Sequence, residues 1–272
     1  MNAVLFPKGG KMNRQNLVLA SLFLLTIFAI PYTVFAITYG NPASSVAEGK
    51  FAVGLAISEI ERELVEKFSI QFRALGQNFS VSDSEVEKVE FSRQTIVASF
   101  GVTDSSSIQF AFGELAIKGD NDFKGDEIGF SYRQRIGENG EKTKFGLLFS
   151  FRSALLEDKD KFSEIDVSQV DFGFGVGSQT SDVVSIFGNV LFSTLSGTQK
   201  FNSTGLAAAS AEASLLVGFP VVFTSAELEF EEDSAIGLVV GAEIKPSESV
   251  FVIFEMHALF ESGFGLAVNF VF

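Results

Sequence analysis

The stretch Phe264-Gly265-Leu266-Ala267-Val268-Asn269-Phe270-Val271-Phe272 ends the sequence and decides the reading of the fold. Apolar side chains recur at 264, 266, 268, 270 and 272, with Gly265, Ala267, Asn269 and Val271 between them. A period of two belongs to a β-strand, so one face is wholly apolar and the other small or mildly polar. A strand whose outer face meets lipid needs that pattern.

The same alternation recurs upstream. Phe51, Val53, Leu55 and Ile57 share one face, against Ala52, Gly54, Ala56 and Ser58. Further sets are Ile96 to Val102, Ile128 to Tyr132, Phe145 to Phe151 and Val170 to Val176, then Val222 to Phe230, Ile236 to Ile244 and Val250 to Ala258. Val184 to Phe192 and Ala207 to Val217 read as strands of weaker contrast. Ile108-Phe110-Phe112 loses phase at Gly113-Glu114, for which a β-bulge is expected. Compact turn sequences such as Gly137-Glu138-Asn139-Gly140 alternate with more charged connections, of which Glu59 to Lys88 reads as the longest surface loop. The expectation is an all-β chain of about twelve strands, with ten to fourteen in range. Short turns lie at one end and longer loops at the other.

At the other end of the sequence Lys8, Lys11 and Arg14 precede an apolar run from Leu17 to Ile30, then Pro31 and Val34-Phe35-Ala36. That order is a secretory signal with cleavage expected after Ala36, which leaves residues 37–272 as one domain. Met12 offers a second natural start. Ile37 to Gly49 reads as a short polar leader.

The chain carries 20 Lys plus Arg against 34 Asp plus Glu, a net charge of −14. A surface this acidic excludes nucleic acid as a partner, because phosphate neutralisation needs basic groups. Without cysteine there is neither a disulfide framework nor a thiolate metal site. With 32 Phe and 25 Gly but only 5 Pro, the composition suits many short strands rather than membrane helices.

The terminal residues Phe264, Leu266, Val268, Phe270 and Phe272, the export signal and the alternating strands together resemble the bacterial outer-membrane β-barrel superfamily. No narrower family motif is matched. The resemblance implies a closed antiparallel transmembrane barrel in the cell outer membrane. It also implies contact with membrane lipid and lipopolysaccharide, and recognition of the terminal strand by the barrel-assembly machinery. Such barrels carry Tyr and Trp girdles. Here Trp is absent and Tyr numbers 3, so Phe must fill the belts.

Inward positions are expected to carry Arg93, Arg133, Arg135 and Arg152 on the earlier strands. On the later strands they carry Asp171, Glu212, Glu227, Glu229, Glu243 and Glu255. This segregation suggests a charged lumen wall, with Arg133, Arg135 and Arg152 facing Glu227, Glu229 and Glu243. The only histidine, His257, shares the lumen face with Glu255. Ser262 invites a triad with it, yet no serine stands two residues away on the same face. Asp120-Asn121-Asp122-Phe123-Lys124-Gly125-Asp126-Glu127 begins like a calcium loop, but Lys124 and Ser131 occupy ligand positions, so at most a loose divalent-cation site at an acidic loop is expected. No cofactor is implied. The first functional expectation is a small porin or passive channel for polar solutes. A plugged structural or surface-interaction barrel is the second, and a lipid-modifying enzyme centred on His257 the third. Lipid-facing Leu147 and Val240 should resist charge, while inward Leu148 and Gly241 should tolerate polar change.

Overall fold

The protein is described here from a computed structural model covering residues 39–272, except 45, 119–121, 141, 233–235 and 260. The expected signal, its cleavage site after Ala36, and Asp120 and Asn121 of the acidic loop lie outside the described residues. The period-two runs become eleven strands: β1 (Phe51–Ala74), β2 (Gln77–Thr103), β3 (Ser106–Lys118), β4 (Phe123–Asn139), β5 (Thr143–Asp158), β6 (Ser163–Gln179), β7 (Val184–Phe201), β8 (Val221–Glu232), β9 (Ile236–Ser247), β10 (Val250–Leu259) and β11 (Glu261–Val271). All pairings are antiparallel, and β11 pairs with β1 from Ala52↔Val271 to Arg62↔Glu261, which closes the sheet. Closure leaves no edge strand in the ring, as lipid requires of any backbone that crosses it.

The ring does not have the same number of strands throughout. β1 pairs with β11 as far as Arg62, then with β8 from Leu64↔Glu232 to Ala74↔Val221. β7 pairs with β9 over Val184 to Phe192, then with β8 over Ser196 to Lys200. β8 and β9 therefore follow one another in the same direction beside β7, and the short β10–β11 hairpin fills the wedge between β9 and β1. Ten strands close the end that holds Phe51 and Phe272, and eight close the far end. Along β7, Phe192 to Ser196 spans four steps, while the opposed Ile236 to Glu231 spans five. The slip of one residue turns the β8 side chains over relative to those of β9.

That slip overturns the inward placement of Glu227 and Glu229. Leu228 and Phe230 point inward and pack in a core cluster, while Glu227 and Glu229 are exposed on the outside. The strand expected at Ala207 to Val217 is instead helix α1 (Ser203–Val217), so Glu212 is exposed on a helix and belongs to no lumen wall. Asn202 caps α1 by accepting from the N–H groups of Thr204 and Gly205, and Gly218 ends it in the left-handed conformation. With this helix and the β8–β9 line removed from the count, the twelve expected strands become ten passes of the chain.

The segment expected as the longest loop, Glu59 to Lys88, is instead strand on both sides of a tight turn at Leu75–Gly76. No helical turn forms near Ile60. β3 shows no bulge either, for its pairing with β2 and β4 runs unbroken through Gly113 and Glu114. What changes there is the medium outside. Along β6, outward Val170, Phe172, Phe174 and Val176 give way to Asp166 and Glu164, while inward Asp171 and Gln169 give way to Val167 and Ile165. The apolar side of the sheet thus faces outward at the end that holds Phe51 and Phe272, and inward at the far end. Lys118 with Glu59 and Glu90, and Lys88 with Glu61, pair on the outer surface where the exchange occurs.

Inward tolerance is also corrected. Leu148 is fully buried in a core cluster, and a Cβ on Gly241 would meet the Phe187 ring at 2.4 Å. Leu147→Arg and Val240→Arg should each cost about 2–4 kcal/mol of insertion stability. Leu148→Ser should cost a comparable amount through lost packing. Folding titrations into vesicles check this, and a polar-tolerant Leu148 would contradict the packed interior.

Candidate functional site

The interior brings together polar groups from strands all around the ring, and its alternation decides which ones. On β1 the face of Ala52, Gly54, Ala56 and Ser58 continues to Arg62, whose side chain is wholly buried. Arg62 Nη2 donates to Glu261 at 2.5 Å and Nη1 to Glu232 at 2.8 Å, with Ser193 Oγ at 3.3 Å. Glu261 also meets His257 Nδ1 at 2.5 Å, and His257 Nε2 lies 3.4 Å from Glu255. Ser262 is exposed on the outer face of β11, so it does not join His257 in a nucleophilic triad.

Ser193 donates to Asp171 at 2.7 Å, and Gln169 donates to both Asp171 and the Tyr39 hydroxyl. Gln169 accepts from Arg93, whose Nε donates to Glu127 at 2.8 Å, and Arg152 approaches Glu127 at 3.7 Å. A single polar network thus crosses the lumen from β5 to β10. Of the residues picked from the sequence, it takes in Arg93, Arg152, Asp171 and Glu255. Arg62, Glu127, Gln169, Glu232 and Glu261 were missed, although extending the period of two places Arg62, Glu127 and Glu261 inward. Glu127 was assigned to an acidic outer loop, but its carboxylate is buried between two arginines.

The leader is part of this site. The N–H groups of Tyr39 and Gly40 both donate to the Glu255 carboxylate, and Asn189 donates to the Gly40 carbonyl. The Tyr39 ring lies 5.5 Å from that of His257. Residues Tyr39 to Ala43 are buried inside the ten-stranded ring, which makes room for them with glycine. A Cβ on Gly146 would stand 2.2 Å from the Pro42 carbonyl oxygen, and one on Gly177 would meet the Asn41 side chain. Above the network, Leu64, Phe91, Leu115, Phe123, Leu156, Val167, Leu195 and Phe230 form an apolar cluster to which each of the eight strands contributes. Segment and cluster close the lumen at two levels.

The proposed pairing of early bases with late acids does not form: Arg93 and Arg152 are paired with Glu127 of β4. Glu243 takes Lys245 at 2.8 Å and Ser44, and Arg135 reaches the Asp104 carbonyl at the rim. Arg133 stands beside Gly40 and the cavity at the ten-stranded mouth.

Beyond the outward apolar belt, Glu66 on β1 with Glu85 and Glu87 on β2 bring carboxylate oxygens within 4.8 Å of one another. Partial burial, and then the charges of Glu87 and Glu85, raise the Glu66 carboxyl above its ordinary value of 4.5. Acidic groups of this kind are common without an ion, and these three are solvated.

No protein-family model and no curated protein matches the sequence. Among solved structures the chain is similar to the translocator domain of the autotransporter NalP from Neisseria meningitidis. That likeness has 8% identity and a TM-score of 0.41, over 95% of this chain and 97% of that one. It is also similar to the outer membrane protease OmpT from Escherichia coli, at 9% identity and a TM-score of 0.36, over 81% of this chain and 94% of that one. For the outer membrane protein OprG from Pseudomonas aeruginosa the values are 8% and 0.36, over 83% and 98%. At such low scores the function must rest on this chain's own residues.

Two outcomes follow from the site. Arg62→Ala leaves Glu261 and Glu232 buried without their shared cation and should destabilise the barrel by about 3–5 kcal/mol. Denaturant titration followed by heat-modifiable gel mobility measures it. A raised carboxyl makes the folded state hold its proton longer, so the hairpin loses stability as pH rises above about 4.5. Hydrogen exchange at the β1–β2 tip, corrected for intrinsic rate, should therefore be faster at neutral pH, and Glu66→Gln should flatten the difference.

Proposed function

We propose that the chain is a bacterial outer-membrane barrel that acts as a closed surface platform rather than an open pore. The observation that carries this reading is the double closure of the lumen, by Tyr39 to Ala43 in the ten-stranded part and by the Leu64–Phe230 cluster in the eight-stranded part. A solute path would need both to move. The chain's investment lies outside instead: β1 and β2 run on past the ring's other hairpins to Leu75, β8 lines one side of them, and α1 packs on β8.

The outward apolar belt supports placement in a lipid bilayer, and the export signal supports an outer membrane. In this reading the end with Phe51 and Phe272 faces the periplasm. The outward face of β11, from Phe264 to Phe272, meets lipid and is presented to the barrel-assembly machinery. Lys67, Lys88 and Lys118, just above the belt and each held by glutamates, are placed to meet lipopolysaccharide phosphates, with divalent cations bridging to the acids.

Planar-bilayer recording of the refolded barrel tests the choice between platform and channel. The expected result is no stepwise conductance, either for the parent or after deletion of residues 39–44, because the apolar cluster remains. Discrete steps from the parent would restore the porin reading.

A further inference from the structure

The ten-stranded mouth holds a cavity of about 480 Å³ between the buried leader and the β9–β10 turn. That volume falls in the range of small-molecule sites. One wall is apolar, made by Val97, Phe251, Ile253 and Ala267. Facing it is Arg133 on β4, half-buried, with its guanidinium against Gly40. Arg133 has no hydrogen bond or ion pair with any described residue, and its Nε is enclosed without a partner. Its acidic neighbours are already engaged: Glu243 by Lys245 and Ser44, Glu255 by the N–H groups of Tyr39 and Gly40. Asp182 and Glu248 at the rim are exposed, so water and salt screen them.

A half-buried arginine whose neighbouring acids are bonded to other groups lacks a direct partner, and a bound anion supplies one. The fork of the guanidinium suits a carboxylate or phosphate. From this geometry we infer that the cavity is a binding site for a small anionic amphiphile entering from the mouth, its carboxylate or phosphate on Arg133 and its short hydrocarbon body on the β10–β11 wall. The site needs no open lumen, since the cavity lies at the mouth, lined by Ser44, Val46 and Ala47 of the leader rather than by the buried Tyr39 to Ala43.

Hexanoate and phenyl phosphate are suitable probes, titrated by calorimetry into the full mature barrel held in nanodiscs. Both should bind, while hexanol and hexylamine should not, and Arg133→Gln should weaken the anions at least tenfold. Should Arg133→Gln fail to fold, Ala267→Leu fills the wall without touching the guanidinium and should weaken hexanoate by a similar factor. Heat-modifiable mobility of each variant verifies the fold. Equal affinity for hexanol, or anion binding unchanged in both variants, would overturn the site. A phosphate-only response would assign it to phosphorylated ligands, and a hexanoate-only response to carboxylates.

Discussion

Arg62 stands where the barrel changes from ten strands to eight, and the rest of the interior is arranged around that change. Toward the Phe51 end β1 is bonded to β11, and two residues past Arg62 it is bonded to β8. A strand that exchanges neighbours must leave the ends of both with nothing to continue their ladders, and such groups are expensive when buried. The Arg62 guanidinium reaches both ends, Glu261 at the start of β11 and Glu232 at the end of β8. All three side chains are nearly or wholly buried, so the attraction is weakly screened but the desolvation is large. Their value is less in net stability than in fixing the level at which the wedge of β10 and β11 stops.

That level is also where the outer face turns from apolar to charged, and this explains which parts of the fold were legible. Period two was readable in at least part of every strand because it is a property of the backbone. The direction of each face was not, since it depends on the medium outside. Within the belt, apolar means outward, as Val170 to Val176 and Phe264 to Phe272 show. Beyond it apolar means inward, as for Ile165, Val167, Leu228 and Phe230. Reading β8 by the first rule put Glu227 and Glu229 in the lumen, and reading β3 by it turned Glu114 into a bulge. The helix was hidden for another reason: alanine and serine fit either element at weak contrast, and only Asn202 and Gly218, placed one residue outside each end, mark it as helical.

The site was legible in part. Arg93, Arg152, Asp171 and Glu255 follow from alternation within the belt. Their partners do not, because pairing depends on which strands face one another around the ring. Arg93 could have met any of several acids, and it meets Glu127 on β4, two strands away in the sheet. The leader was least legible, since its bonds to Glu255, Gln169 and Asn189 join residues more than a hundred positions apart. A trace was nonetheless present. Gly173, Gly175 and Gly177 all fall on the inward face of β6, with Gly146 beside them on β5. An inward face stripped of side chains signals that something other than a side chain occupies the space.

Strand number accounts for that occupant. A ring of eight strands encloses about as much space as inward side chains can fill, and the far end is filled by the cluster from Leu64 to Phe230 alone. Two further strands widen the ring, and inward side chains alone no longer fill it. A wide lumen can then hold water or take in another piece of chain. Here Tyr39 to Ala43 enter, and their N–H and C=O groups must be satisfied by the wall. Glu255 and Asn189 do so, and glycine at 146, 175 and 177 clears the path. The segment fills the wide ring only down to the level of Ser44, and below it the wall residues again stand apart, with Arg133 on one side and Ile253 and Ala267 on the other. The cavity at the mouth is thus the remainder of a ten-stranded ring after a short segment has filled what it can. Arg133 is left unpaired because the leader satisfies the carboxylate of Glu255 first.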